Sequence, residues 1–218
     1  MISVDDILFD TWEIKRKVGK GTFCELFVAT NIHTNDIVAI KSQNASIVGP
    51  VLKYEGDVLQ NLKELSGVPK FIYSGLIDGK DILVMEMLGG EDMSKLRNRL
   101  RSQQGTSSGL TLPMAVYFTK EILRLLKDLH QAGYVHRDIK PSNFVRERFD
   151  SPSFRMIDFG VTKQFKDRDG NIKKKRDTGA EFRGTSLYAS VNSHNLEDLS
   201  PRDDLWSMVY VLLDLMCG

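Results

Sequence analysis

Apolar and charged side chains alternate along residues 12–18 (Trp12, Glu13, Ile14, Lys15, Arg16, Lys17, Val18) with the two-residue period of a half-buried strand. Gly19-Lys20-Gly21-Thr22-Phe23 breaks the pattern and leads into Cys24-Glu25-Leu26-Phe27-Val28-Ala29, so a glycine-rich hairpin joins two strands. Val38-Ala39-Ile40-Lys41 ends a third strand, and residues 70–73 and 81–85 read as two more. Between them the period changes to that of a helix over residues 51–63, where Val51, Glu55, Val58, Leu59 and Leu62 share one face. Glu55 therefore sits on an apolar stripe, and a carboxylate buried there needs a partner. Lys41, fourteen residues earlier, is the natural one; alone it would read equally well as a solvated strand-end lysine.

Residues 86–90, Glu-Met-Leu-Gly-Gly, form a short extended link, and beyond it helical patterning dominates. The link reads either as a hinge beside a cleft or as a bare connection between two parts. Residues 91–102 predict a short exposed helix and residues 113–131 a long buried one, with Ala115, Thr119, Ile122, Leu126 and Leu129 inward and Gly133 as its stop. From Asp204 to Cys217 the chain is apolar almost all round (Leu205, Trp206, Met208, Val209, Leu212, Leu213, Leu215, Met216), the mark of a fully buried helix. The pattern is α+β, with a strand-rich part followed by a helix-rich part.

With 218 residues, 41% hydrophobic and 27% charged, the chain has material for two parts with real cores. Thirty basic and 29 acidic residues leave a net charge of +1, which points away from nucleic acid and anionic membranes as main partners. Two cysteines, Cys24 and Cys217, lie far apart without metal-ligand spacing, and no stretch has a signal peptide's or a membrane span's pattern; a reduced cytoplasmic or nuclear setting is expected. Charge is concentrated locally. Residues 161–183 carry eight basic and four acidic side chains, a net of +4. That segment reads as a surface that attracts acidic or phosphorylated groups, as a nuclear-localisation run at 173–176, or as a solvated loop.

Candidate chemistry centres on Tyr134-Val135-His136-Arg137-Asp138-Ile139-Lys140-Pro141-Ser142-Asn143. A carboxylate, an ammonium two residues on and an amide three beyond it, held on one loop, could orient a hydroxyl, touch a phosphate and hold a metal. Fifteen residues past Asn143, Met156-Ile157-Asp158-Phe159-Gly160 adds a second acidic group; Asp158 with Asn143 makes an oxygen site suited to Mg²⁺. The glycine-rich hairpin reads on its residues equally as a plain turn or as a phosphate cover, since glycines let backbone N–H groups approach closely.

Taken in this order, the Gly-rich hairpin, Val38-Ala39-Ile40-Lys41, His-Arg-Asp-x-Lys-x-x-Asn and Asp-Phe-Gly resemble the motif set of protein kinases from Trp12 to the last residue. Ala189-Ser190-Val191-Asn192 stands where most kinases have Ala-Pro-Glu and is similar to the casein kinase 1 group; within it, residues 52–55, 136–144, 182–185 and 203–207 look most like the tau-tubulin kinases. The resemblance implies a two-lobed fold: a strand-rich N-lobe with one main helix (12–88), and a helical, incomplete C-lobe (89–218) lacking the helices that cover residues 204–217. It implies transfer of the γ-phosphoryl of Mg²⁺-bound ATP to protein serine or threonine, with Lys140 marking that acceptor class. Asp138 would orient the hydroxyl, Lys140 stabilise the phosphoryl, Thr185 brace both, and Asn143 and Asp158 hold Mg²⁺. Val18, Gly19, Gly21 and Leu26 would border the nucleotide, Lys41 clamped by Glu55 would hold its phosphates, Met85 would line the adenine pocket, and backbone groups of Glu86 and Leu88 would bond adenine. Asp204 would anchor the catalytic-loop backbone. Two positions depart from the family: Cys24 replaces a third glycine, and Leu187 stands where the group has an arginine that binds a primed phosphate. Competing with the enzyme are a scaffold that binds without turnover, favoured by Cys24, and a small-molecule phosphotransferase.

Overall fold

A computed structural model describes residues 2–47, 49–104, 109–167, 169–174 and 181–217. Two compact units divide the chain, Met1–Leu88 and Gly89–Gly218. Arg168, Lys175, Arg176, Asp177 and Thr178 of the basic segment, and most of the 103–109 loop, lie outside the described residues.

The first unit is one antiparallel sheet built from β1 (Ile7–Leu8), β2 (Trp12–Lys20), β3 (Cys24–Asn31), β4 (Ile37–Gln43), β5 (Phe71–Ile77) and β6 (Lys80–Glu86) in the order β1-β2-β3-β4-β6-β5. Central β4 and β6 are buried on both faces along most of their length, as strands covered from both sides are, and their middles are apolar. Leu8, Trp12, Ile14, Phe27, Ala29, Val38, Ile40, Ile82 and Val84 form one core, onto which Ile2, Phe9 and Ile77 fold. Because side chains alternate, Ala39, Lys41 and Leu83 point to the opposite face, where helix α1 (Val51–Asn61) packs.

The structure amends two expectations here. Alternation along β2 holds only through Ile14; register shifts between Ile14 and Arg16 and between Lys17 and Gly19 break the pleat, and Val18 is exposed. On α1 the buried stripe is Leu52, Glu55, Gly56, Val58 and Leu59, with Val51 displaced to its edge. Gly56 lets the helix lie close to the sheet, since a Cβ there would stand 3.3 Å from Leu83 Cδ1 and 3.4 Å from Phe71 Cε2. That close approach brings Glu55 down to Lys41.

The second unit contains α2 (Met93–Gln104), α3 (Leu112–Gln131), β7 (Tyr134–Val135), β8 (Phe144–Arg146), β9 (Phe154–Met156), β10 (Lys163–Gln164), α4 (Val191–His194) and α5 (Pro201–Cys217). Two small antiparallel pairs, β7 with β10 and β8 with β9, bracket the loop of residues 136–143. Helix α3 buries Ala115, Phe118, Ile122, Leu125, Leu126 and Leu129 and packs along α5. Phe118 and Leu125 replace Thr119 on the predicted stripe; the Thr119 hydroxyl instead bonds back to Ala115 O at 2.8 Å. Gly133, at φ +86°, follows the helix end as expected.

Helix α5 differs most from its sequence pattern. It is buried along one face only (Asp203, Asp204, Ser207, Val211 and Leu215), while Leu205, Trp206, Val209, Leu213 and Met216 are exposed, Trp206 by 54%. An apolar helix with no polar face gives no signal of which side is covered, and the expectation of full burial is corrected accordingly. Among the described residues no helix is long and apolar enough to cross a membrane.

Candidate active site

The loop of residues 136–143 is held from below by a single carboxylate. Asp204, in the first turn of α5, is 1% exposed; it accepts the backbone N–H groups of His136 at 2.8 Å and Arg137 at 2.9 Å, and the His130 Nε2–H from the end of α3 at 2.8 Å. Those bonds hold Arg137 at φ +69°, a conformation uncommon outside glycine, and turn the next residue, Asp138, inward. The fully buried His136 ring adds a second tie. Asp138 N–H donates to its Nδ1 at 3.3 Å, so the ring proton is on Nε2 and donates to Ile157 O at 3.1 Å; the ring also packs on Phe159 at 5.3 Å.

The Asp138 carboxylate is fixed at both oxygens. Thr185 Oγ1 donates to Oδ1 at 2.7 Å, Lys140 Nζ donates to Oδ2 at 2.7 Å, and Asn143 Nδ2 reaches Asp138 O at 2.8 Å and Oδ2 at 3.2 Å. Lys140 Nζ also donates to Thr185 Oγ1 at 3.1 Å, closing a three-residue ring. All four residues expected to carry chemistry on this unit, Asp138, Lys140, Asn143 and Thr185, thus meet at one point.

Gly184 makes the approach of Thr185 possible. Its φ is +100°, and a Cβ there would lie 2.4 Å from Arg137 O. After Thr185, the short 3₁₀ turn Ser186–Tyr188 is fastened to α5 by the Tyr188 hydroxyl, which donates to Asp214 Oδ2 at 2.9 Å. Burial and then that bond push the Tyr188 hydroxyl up to about 12. Ser190 and Asn192, from the Ala-Ser-Val-Asn stretch, both donate to Asp203 Oδ1, at 2.9 and 2.8 Å, while Ser200 N–H and Oγ–H donate to its Oδ2. Burial alone would raise the Asp203 carboxyl, but the bonds from Ser200, Asn192 and Ser190 outweigh it and hold the group below its ordinary value.

Asp158 takes φ +70° just after β9, and Ile157 N–H donates to Asn143 O at 2.9 Å, so the backbone carrying Asp158 is tied to the residue expected to share a metal with it. With its Nδ2 turned to Asp138, Asn143 directs its amide oxygen elsewhere. Among the described residues no group of three or more His, Cys, Asp or Glu stands where it could hold a metal ion.

In the first unit Lys41 Nζ reaches both carboxylate oxygens of Glu55, at 2.7 and 2.9 Å, with Lys41 8% and Glu55 2% exposed. Val18, Gly19 and Gly21 lie exposed on and just beyond β2, and Leu26 is half-buried on β3, paired with Gly19 and Lys41. Met85 and Leu88 are buried; Glu86 N–H donates to Lys70 O at 2.9 Å and its carboxylate accepts Lys70 N–H at 3.1 Å. The basic segment is partly neutralised: Lys163 bonds Asp198, and Arg183 bonds Glu181 at 3.3 Å. Leu187 is 71% exposed.

Sequence reasoning overlooked His130, the side chain of Arg137, which donates from Nε to Val161 O at 2.6 Å, and the Ser190–Asn192–Asp203 cluster. His130 offered a signal in hindsight, standing at a helix end six residues before His136; the cluster offered none, since its members are joined only by folding.

The sequence model of the protein kinase domain matches residues 12–218. A probable serine/threonine-protein kinase of Dictyostelium discoideum is 39% identical over 211 residues, covering 95% of this chain and 41% of the relative. The serine/threonine-protein kinase spe-6 of Caenorhabditis elegans is 33% identical over 209 residues, covering 95% of this chain and 53% of the relative. The chain thus spans about half the length, or less, of these curated relatives. A strand-rich unit with a lysine clamped by a helix glutamate, a helical unit with its loop built around one aspartate, and a family match running through both lead to one assignment: the chain belongs to the protein kinase family.

Proposed function

We propose that this chain is the catalytic domain of a serine/threonine protein kinase that transfers the γ-phosphoryl of ATP to protein hydroxyls, and that it is casein kinase 1-like. One observation carries the reading: Asp138, Lys140 and Thr185 form a closed ring of hydrogen bonds of 2.7, 2.7 and 3.1 Å on a loop anchored by Asp204. A carboxylate fixed in this way orients an acceptor hydroxyl and takes its proton without having to reorganise. Lys140, already beside that carboxylate, supplies positive charge where the transferred group gains negative charge. Thr185 keeps both in register.

The oxygen chemistry of Asn143 and Asp158 fits Mg²⁺, a hard cation, and these two residues would hold it. When bound, the cation neutralises charge on the phosphate oxygens. Lys41 would hold the phosphates of ATP; its ion pair with Glu55 keeps the ammonium from swinging away. Val18, Gly19, Gly21 and Leu26 would cover the nucleotide, and the backbone at Glu86 and Leu88 would bond adenine.

Support for serine and threonine comes from Lys140 and from the two relatives, one a probable and one a named serine/threonine-protein kinase. Support for a casein kinase 1-like protein comes from Ala189-Ser190-Val191-Asn192, whose serine and asparagine hold Asp203 where the usual Ala-Pro-Glu has no such pair. Leu187 offers no cation, so acceptor sites primed by phosphate through that position are not expected; Lys166 and Lys173, in the segment that follows Asp-Phe-Gly, favour acidic surroundings of the acceptor. The test is transfer of radiolabelled phosphate from ATP to casein and to a tubulin-derived peptide, followed by identification of the phosphorylated amino acid, beside a Mg²⁺-ATP thermal-shift measurement. Phosphoserine or phosphothreonine is expected. Nucleotide binding without transfer would select the scaffold instead, and transfer to small alcohols alone would select a small-molecule phosphotransferase.

A further inference from the structure

The tip of the glycine-rich hairpin is tied to the far end of the strand that carries Lys41. Gly21 N–H donates to Cys24 O at 2.8 Å, closing the tip as a tight turn. Asn44, the residue after β4, then takes hold of it three times. Its side-chain Nδ2 donates to Gly21 O at 2.9 Å and to Thr22 O at 2.9 Å, and its backbone N–H donates to Phe23 O at 2.9 Å. Three consecutive carbonyls are thereby directed toward one residue.

The consequence lies on the other side of the same peptide groups. Each peptide is planar, and none in the described residues is cis, so the N–H of a peptide points opposite to its carbonyl. With Gly21 O and Thr22 O turned to Asn44, the N–H groups of Thr22 and Phe23 are turned away from it. Successive N–H groups presented together form a concave site for an anion. A loop of this composition left to itself would sample many orientations of those planes, because Gly21 restricts its own neighbours so little. Asn44 removes that freedom.

Asn44 is also joined to the clamp. Ile47 N–H donates to Asn44 O at 3.0 Å, and Gln43 Nε2 donates to Ile47 O at 2.9 Å and Gly49 O at 3.0 Å, just ahead of α1 and Glu55. Loop tip, Lys41 strand and the approach to the helix are therefore linked through Gln43, Asn44, Ile47 and Gly49.

We propose that Asn44 is a positioning residue for the phosphates of ATP: it aims the Thr22 and Phe23 N–H groups and fixes their height over the strand that bears Lys41. The proposal rests on the nucleotide-binding reading above. It also explains how a hairpin with Cys24 in place of a third glycine keeps a defined tip, since the orientation comes from a side chain outside the loop.

The test uses the 218-residue chain and two variants that lack the donor, Asn44→Leu, which keeps the size without charge, and Asn44→Asp, which keeps the shape. Dissociation constants are measured for Mg²⁺-ATP and for adenosine, which has no phosphates, together with amide hydrogen exchange of residues 20–24 in the absence of any nucleotide. Both variants should bind Mg²⁺-ATP about 10-fold more weakly, the scale of two lost hydrogen bonds, with adenosine affinity unchanged and exchange at the tip faster. In turnover, the effect should fall on KM for ATP and leave kcat nearly as it was. Equal ATP affinity in wild type and Asn44→Leu would overturn the proposal, as would weakening in Asn44→Asp alone, which would show charge repulsion and not loss of aim. Equal loss of adenosine and ATP affinity would show a merely structural role. If the wild-type chain binds adenosine and ATP equally or not at all, the nucleotide reading itself fails, and tip exchange alone then reports whether Asn44 orders the loop.

Discussion

Asp204 Oδ1 accepts the backbone N–H of Arg137 at 2.9 Å, and Arg137 is the residue whose φ of +69° swings the chain so that Asp138 faces inward. The bond joins the first turn of α5 to a position 67 residues earlier and makes the loop conformation a property of the helix. Asp204→Ala would leave two buried N–H groups and His130 without their shared acceptor. A loss of stability of about 3 kcal/mol or more is expected, together with loss of phosphoryl transfer, measured by denaturant unfolding and by the ATP assay. Wild-type stability in this variant would mean that the loop is held by something else.

Thr185 can be separated from fold stability because it is half-exposed and its role is confined to one hydroxyl. Thr185→Val should lower kcat by ~10²-fold, the cost of slightly misplaced reacting groups, with Mg²⁺-ATP affinity retained. Thr185→Ser, which keeps the hydroxyl, should restore most of the activity. If serine and valine behave alike, the ring around Asp138 does not matter to turnover.

Gly184→Ala places a Cβ at 2.4 Å from Arg137 O in a backbone with φ +100°. The strain alone should destabilise by about 1–3 kcal/mol, visible as a lower Tm, and Thr185 should be pulled from Asp138 so that activity falls further than stability explains.

The Lys41–Glu55 pair is buried on both sides, so removing one member is costlier than removing both. Glu55→Ala should cost about 3–5 kcal/mol by leaving an ammonium buried without its carboxylate. The double variant Lys41→Met with Glu55→Leu should melt closer to wild type yet bind Mg²⁺-ATP poorly. A double variant that binds ATP normally would remove Lys41 from the nucleotide site.

The Asp203 carboxyl is held below its ordinary value in the folded chain by Ser200, Asn192 and Ser190, which outweigh the effect of burial. A depressed folded value means that the folded state binds fewer protons than the unfolded one, so the stabilisation is complete above the ordinary carboxylate range, about 4, and is lost as pH falls through and below it. Asp203→Asn should therefore be less stable than wild type at neutral pH, with the gap closing on acidification. Parallel stability curves for the two proteins would refute the assignment.

Much of this was present in the linear order of residues. Strand and helix periods located every long element to within a few residues, because alternate and 3.6-residue spacing report directly which side of an element is dry. The Glu55–Lys41 pair was legible for the same reason: a carboxylate on an apolar stripe requires a partner, and one cation lay at the end of a neighbouring strand. The spacing of Asp138, Lys140 and Asn143 was legible because one short loop carries all three.

Other features depended on contacts between distant segments, which no local period records. The β2 register shifts exposed Val18 where alternation predicted burial. Helix α5, apolar on every side, carries no mark of which face is covered, and packing against α3 decided it. His130, Asp204 and the backbone of residues 136–137 come from three segments, and Ser190 and Asn192 find Asp203 only after the chain has turned back onto α5. The sequence by itself determined which groups are available and on which element each stands. Tertiary structure alone decided how they are aimed, because a hydrogen bond's direction depends on both partners' backbones and only folding brings the second partner into range.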